Sequence, residues 1–239
     1  MPPEAGAPKS ITYRYRMTFG DGTEKTFTVD IHSEHLGLLR EERASYPEWT
    51  RLGFNQCPNC PLEASQNPRC PVAESAVDLV DAFGDFPSYE EVDVVVESKN
   101  RTYSRHASLQ TAVSSLLGLY MVTSGCPILD KLRPMVDMHL PFMNREETLY
   151  RMLTMYLLAQ HFRQQKGQPV DRDLAGLTRL LGEIRQVNVA FCGRLNAIEI
   201  KDASVNAVVI LSTLGDFPNR LITKRDLARL ERIFSEYGP

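Results

Sequence analysis

The feature that most constrains this 239-residue chain is the sequence CPNCPL at residues 57–62, which a further cysteine–proline pair follows at residues 70 and 71. A tight Cys-x-x-Cys turn aims two thiolates at one ion, and zinc in a tetrahedral sulfur site is its natural occupant. The same spacing also occurs in redox dithiols, which usually open a helix after a strand. Here an irregular stretch with prolines at 61 and 68 follows the motif, and this favours a metal site.

Two more cysteines stand at the ends of predicted helices. Cys70 precedes a helical pattern, where the free N–H groups favour a thiolate, and Cys126 directly follows Gly125 at the end of another. The sequence therefore predicts zinc bound by four side chains, namely Cys57, Cys60, Cys70 and Cys126. For Cys70 and Cys126 the alternative is a small buried apolar residue. His139 could replace one cysteine as a ligand or could be an ordinary hydrogen-bonded loop histidine, whereas Cys192 fits a core position in a helix.

Charge and composition narrow the functional classes. The net charge of −3 and the pI near 6.0 argue against a nucleic-acid partner, which a basic stripe usually marks. The sequence shows neither a signal peptide nor an apolar run long enough to span a bilayer. Since five cysteines without an export signal do not suggest a disulfide framework, we expect a reducing, cytoplasmic location.

Hydrophobic periodicity predicts an α+β fold. Alternating runs at residues 11–19 and 25–31 flank a Gly-Asp-Gly turn and indicate a β-hairpin, and a second hairpin is indicated at residues 92–104. Together they predict a small, four-stranded antiparallel sheet. Helical patterns follow at residues 72–83, 108–124, 144–165, about 171 onward, 203–214 and 223–236.

This pattern divides the chain into three parts. We expect a disordered tail at residues 1–10, an α+β zinc-binding part at 11–142, and an α-helical bundle at 143–239. Zinc would tether the helices of the first part, and the bundle would pack on it to give one globular unit.

Five short motifs together resemble an uncharacterised family of bacterial proteins of similar length. They are CPxCPL at 57–62, CPxA at 70–73, SGCP at 124–127, HLPF at 139–142 and EETxYR at 146–151. The resemblance extends from about residue 54 to residue 203. It implies a shared metal site in an intact fold, and it implies no activity, because none is established for that family.

The favoured hypothesis is a cytoplasmic zinc-binding protein whose zinc is structural and which acts by binding a protein or a small ligand. Four cysteines would close the site, whereas a catalytic zinc keeps one position open. One alternative is a metal-dependent enzyme that uses an open zinc position with His139 as acid or base, and another is a redox sensor that releases zinc on oxidation.

A second candidate surface could bind a small ligand or a second metal through carboxylates and amides on helices. It consists of Glu146, Glu147, Tyr150, Arg151, Asn188, Asp202 and Asn206. The alternative explanation is helix capping for Glu147 and Asp202 and interhelical hydrogen bonds for the rest.

Overall fold

A five-stranded antiparallel sheet forms one layer of the protein. The computed structural model describes residues 10–41, 43–198, 204–209 and 224–237. In the sheet the strand order is β3-β2-β1-β4-β5. The strands are β1 (Ser10–Phe19), β2 (Glu24–His32), β3 (Leu38–Leu39), β4 (Glu91–Glu97) and β5 (Thr102–Ser108).

The central strand β1 shows why this part of the sequence forms a sheet. Its side chains alternate, so that Tyr15 and Met17 are fully buried while Arg14 and Arg16 face solvent. Such alternation buries one face of a sheet and exposes the other. β1 pairs with β2 on one side and with β4 on the other, so both predicted hairpins are confirmed. The fifth strand, β3, was not predicted, because two residues are too few to show alternation.

Seven helices lie within the described ranges, besides short 3₁₀ turns and a helical run at residues 204–209. They are α1 (Pro71–Ser75), α2 (Val77–Phe83), α3 (Leu109–Thr123), α4 (Pro134–Asp137), α5 (Arg145–Gln165), α6 (Ala175–Asn196) and α7 (Lys224–Ile233). The single helix predicted at 72–83 is divided at Ala76 into α1 and α2. None of these helices is long and apolar enough to cross a membrane.

The helix ends follow local chemistry. Asn144 and Glu147 form the predicted capping box at the start of α5. The predicted start of α6 near residue 171 is wrong, because the Asp171 carboxylate instead accepts hydrogen bonds from the Tyr156 hydroxyl and the Gly176 N–H. Leu174 then takes a left-handed conformation, with φ of 62°, immediately before the helix.

One hydrophobic core joins the sheet to the helices. α3 is buried along most of its length, and side chains of α5 and α6 pack into the same cluster as those of β1 and β4. Ser10 belongs to β1, so the predicted tail of residues 1–10 extends one residue too far. Residues 1–9, Asp202 and the part of the predicted helix 203–214 that follows residue 209 lie outside the described residues, whereas the helix predicted at 223–236 is α7.

Candidate metal centre and the large cavity

The four predicted cysteines come together in space. Cys57, Cys60, Cys70 and Cys126 all line one small cavity, called here the cysteine cavity, whose far wall is formed by α6. They come from the loop before α1, the N-terminus of α1 and the segment after α3. All four thiols are free. Segments far apart in the sequence therefore meet at this point, as the cysteine pattern predicted.

Backbone hydrogen bonds hold the loop that carries the first cysteines. The Cys60 N–H donates to the Cys57 carbonyl at 3.0 Å, which closes the Cys-x-x-Cys turn. The Cys70 N–H donates to the Thr50 carbonyl at 2.8 Å, and the Leu52 N–H donates to the Pro68 carbonyl at 3.0 Å. The Asn59 amide donates to the carbonyl of Glu183 at 3.0 Å and so attaches the turn to α6.

Cys126 is positioned by the end of α3. Gly125 supplies a φ of 94°, which glycine adopts without strain, and this turns the chain away from the helix. Burial raises the pKa of the Cys126 thiol, while the backbone N–H groups of Leu129 and Ile128 lower it by donating to the sulfur. N–H donation of this kind stabilises a thiolate.

The pKa of Cys57 responds to the other three cysteines, as expected for thiols that line one cavity. Burial, and then the neighbouring Cys70, Cys60 and Cys126, raise the pKa of Cys57 to about 12, while Arg194 acts to lower it. The four thiols do not converge on one common point in the structure. Within the described ranges, no group of three or more His, Cys, Asp or Glu side chains has an arrangement that could hold a metal ion. The cysteines are thus adjacent, but they are not in ligand geometry.

A buried arginine lies beside the cysteines. Arg194 of α6 lines the cysteine cavity and is only 2% exposed. Its guanidinium donates to the carbonyls of Trp49, Arg51 and Leu52, at 2.7 Å to Arg51 and 3.3 Å to Leu52. No carboxylate within the described residues forms an ion pair with it. Burial lowers its pKa, and the neighbouring Cys70, Cys57 and Cys60 raise it.

Sequence reasoning missed Arg194, although a signal was present. Val187, Phe191 and Arg194 follow one another at helical i, i+4, i+7 spacing, and the first two are buried apolar residues. That spacing puts the arginine on the buried face of α6. A charge on an apolar helix face indicates either a buried partner or a functional site.

His139 lies on a different cavity, called here the large cavity, which has a volume of about 370 Å³. Its residues come mainly from α3, the segment 129–144, α5 and α6, and none of them is shared with the cysteine cavity among the described residues. His139 is therefore not brought to the cysteines. The prediction that it is a loop histidine held by hydrogen bonds agrees with this geometry.

A chain of hydrogen bonds fixes the His139 ring. Its Nε2 lies 2.6 Å from the Tyr15 hydroxyl, which lies 2.9 Å from the Ser115 hydroxyl, and Ser115 accepts from the Phe142 N–H at 3.3 Å. Burial, and then the positive charge of Arg151, lowers the pKa of His139 to about 3, so the ring is neutral at neutral pH. Burial also raises the pKa of Tyr15, whose hydroxyl therefore keeps its proton.

The histidine tautomer follows from the direction in which this chain donates. If Ser115 donates to Tyr15 and Tyr15 donates to Nε2, every hydroxyl proton in the chain has an acceptor. The proton of the neutral ring then lies on Nδ1, for which the structure provides no hydrogen-bond partner among the described residues. With this direction of donation, His139, which lines the large cavity, has one free N–H donor.

The second candidate surface has mostly structural contacts. Glu147 closes the capping box, Glu146 forms a 2.5 Å ion pair with Arg229, and Tyr150 stacks on Phe234. Arg151 donates to the carbonyls of Met135 and Met138, which braces the segment before His139. The other three members separate from this group or fall outside it: Asn188 lines the large cavity, Asn206 lies in the short helical run, and Asp202 is outside the described residues.

The lowered pKa of His139 predicts a specific pH dependence of stability. Between its ordinary pKa of about 6.5 and the folded value of about 3, the unfolded chain binds a proton that the folded chain does not. Stability is thus present above about pH 6.5 and is lost as the pH falls, by about 2 kcal/mol between about pH 7.5 and about pH 5. Urea unfolding should show a smaller loss for His139→Gln.

The groups around the ring set the controls for this prediction. Tyr13 and Tyr15 of β1 and Arg151 of α5 face His139, and none of them titrates between about pH 5 and about pH 7.5. The exposed His161 of α5 provides a matched variant, His161→Gln, which should retain the wild-type slope. Equal slopes for His139→Gln and the wild type would contradict a buried neutral histidine.

Fold and site together define a mixed α/β protein with a cysteine cluster against α6 and a separate large cavity. A family model described as "Domain of unknown function (DUF6901)" matches residues 11–235. The chain belongs to this family, which agrees with the resemblance to an uncharacterised family. No curated protein and no solved structure matches the chain significantly.

Proposed function

We propose that this protein is a zinc-binding protein in which a structural zinc, bound by Cys57, Cys60, Cys70 and Cys126, supports a binding function. The observation that carries the proposal is the buried Arg194 beside four thiols. Four thiolates around a zinc dication leave a net negative charge. The buried guanidinium of Arg194, which has no carboxylate partner among the described residues, is the counter-ion that such a site needs. Zinc would also replace the thiol protons that burial otherwise favours.

The donor set favours a structural zinc over a catalytic one. The described residues that line the cysteine cavity include four sulfur donors and no histidine or carboxylate, so four thiolates would close the coordination shell. The alternative enzyme would need His139 near the ion, whereas the Nε2 of His139 is hydrogen-bonded to Tyr15 at the large cavity.

Partial exposure of Cys57, Cys60 and Cys70 favours the redox sensor as the second candidate function. Zinc release by mild peroxide is its test.

The large cavity favours a small ligand over a protein as the bound partner. Its volume of about 370 Å³ is within the range of small-molecule sites, about 300–1,000 Å³. It also has the usual composition of such sites, a mainly apolar wall with a few polar groups. Zinc would then hold the loop against α6, while other residues of α6 line the large cavity.

Elemental analysis of cysteine variants tests the proposal. The wild-type protein is expected to carry about one zinc ion per chain. Cys60→Ser and Cys126→Ser each remove a ligand and should weaken zinc binding by more than the roughly 10- to 100-fold cost of an outer-shell substitution. Cys192→Ser is the matched control, because Cys192 does not line the cysteine cavity and contacts Asn196 instead. A folded wild-type protein that takes up no zinc, or equal losses in all three variants, would contradict the proposal.

A further inference from the structure

The large cavity has the dimensions of one small molecule. A water-sized group occupies about 30 Å³, so a volume of about 370 Å³ accommodates on the order of a dozen non-hydrogen atoms. From its size, wall and charge we propose that this cavity binds a small amphipathic carboxylate, with the apolar body inside and the carboxylate at the end where Arg105 lies. The inference rests on the proposed binding function and names its ligand class.

The wall determines the apolar body of the ligand. Eight leucine, isoleucine and valine side chains of α3, α6 and the segment 129–140, together with four methionines, account for 12 of the 22 described residues that line it. The methionines are Met121, Met135, Met143 and Met152. Methionine is flexible and polarisable, so a wall of this kind adapts to chains or rings of somewhat different shape. A ligand that is polar along its whole length would leave its own groups unsatisfied there.

The charge of the ligand follows from Arg105. Within the described ranges it is the only formally charged residue that lines the large cavity, and no carboxylate lines it. Arg105 is exposed and makes one long hydrogen bond, 3.4 Å to the Phe142 carbonyl, together with a cation–π contact to the same ring at 6.0 Å. No ion pair is formed by Arg105 among these residues, so the guanidinium donors that it does not use at Phe142 are free for a carboxylate.

A second polar group is connected to Arg105 through Phe142. The N–H of Phe142 donates to Ser115, which belongs to the hydrogen-bonded chain that ends at His139. Phe142 has a φ of 59°, a left-handed conformation that is strained for a bulky residue and recurs at binding sites. When Tyr15 donates to Nε2, the Nδ1–H of His139 is a free donor, and it then suits an oxygen of the ligand.

The test is calorimetric titration of the zinc-loaded full-length protein with decanoate, which has about a dozen non-hydrogen atoms. Decanol and decylamine are the comparison probes, all used below their aggregation concentrations. Decanoate is expected to bind about tenfold more tightly than decanol, and decylamine more weakly than both, because the one charge on the wall is positive. Arg105→Gln should remove the difference between decanoate and decanol.

Two variants make the result interpretable. Arg16→Gln removes an exposed arginine of β1 that does not line the large cavity, so it should leave decanoate binding unchanged. Met152→Trp fills the cavity and should abolish binding of all three probes; its thermal unfolding is measured to establish that it folds. The inference is overturned if wild-type protein with its zinc bound takes up none of the probes, or if Arg105→Gln leaves the preference for decanoate intact. Zinc content of the same sample shows whether the metal proposal stands independently.

Discussion

Removal of zinc is expected to lower the free energy of unfolding by about 4 kcal/mol or more, when the free zinc that is removed exceeded its Kd about 1,000-fold. An ion bound only by the folded chain stabilises that state by an amount that rises with the logarithm of its affinity. Of the four cysteines only Cys126 belongs to the buried core of the sheet, α3 and α6, so the chain should stay folded and lose structure locally. Chelator titration with urea unfolding measures the loss.

The local effect is expected in residues 51–70. This segment has no helix or strand of its own beyond a single bridge between Arg51 and Arg69. Amide hydrogen exchange should accelerate at Leu52, Cys60 and Cys70, whose N–H groups hold the loop together, while amides of the central strand β1 remain protected. Cys192→Ser should respond to the chelator like the wild type. Identical exchange with and without zinc would contradict a structural role for the ion.

Replacement of Arg194 by methionine is expected to cost about 3–5 kcal/mol of stability in the zinc-loaded protein. The substitution keeps an unbranched apolar stem but removes the guanidinium, so the carbonyls of Trp49, Arg51 and Leu52 lose their charged donor. It also removes the positive charge beside the thiolates, so zinc affinity should fall as well. Chemical unfolding and zinc competition measure the two effects separately.

Two further variants separate the causes. Arg194→Lys keeps the charge but cannot reach three carbonyls with a planar fork, so it should recover more of the zinc affinity than of the stability. Arg179→Met on the exposed face of the same helix should change stability by less than about 0.5 kcal/mol. If Arg194→Met loses stability and keeps the zinc affinity of the wild type, Arg194 is a structural anchor only and the counter-ion role is wrong.

The sequence predicted those parts of the fold that depend on local patterns. The hairpin β1–β2 follows from alternation around a glycine turn, and the start of α5 follows from a cap and its partner three residues on. The two-residue strand β3 and the break at Ala76 were missed, because pairing and packing with distant residues decide them. The left-handed Leu174 before α6 likewise has no local signal.

The same distinction applies to the site. The four cysteines could be selected because helix ends and a tight turn are readable in the sequence, and the structure brings them to one cavity. The large cavity could not be predicted, since its wall combines side chains of segments more than 60 positions apart, such as Thr111 and Leu181. The neutral state of His139 depends on its burial and on Tyr15, which a linear motif does not reveal.

X-ray absorption at the zinc edge of the purified protein tests the central claim most directly. The expected spectrum shows four sulfur neighbours at about 2.3 Å and no light-atom ligand. The Cys192→Ser protein should give the same spectrum, because Cys192 is not one of the four proposed ligands. A shell with a nitrogen or oxygen neighbour, or a folded protein that takes up no zinc when zinc is supplied, would contradict a closed structural site at Cys57, Cys60, Cys70 and Cys126.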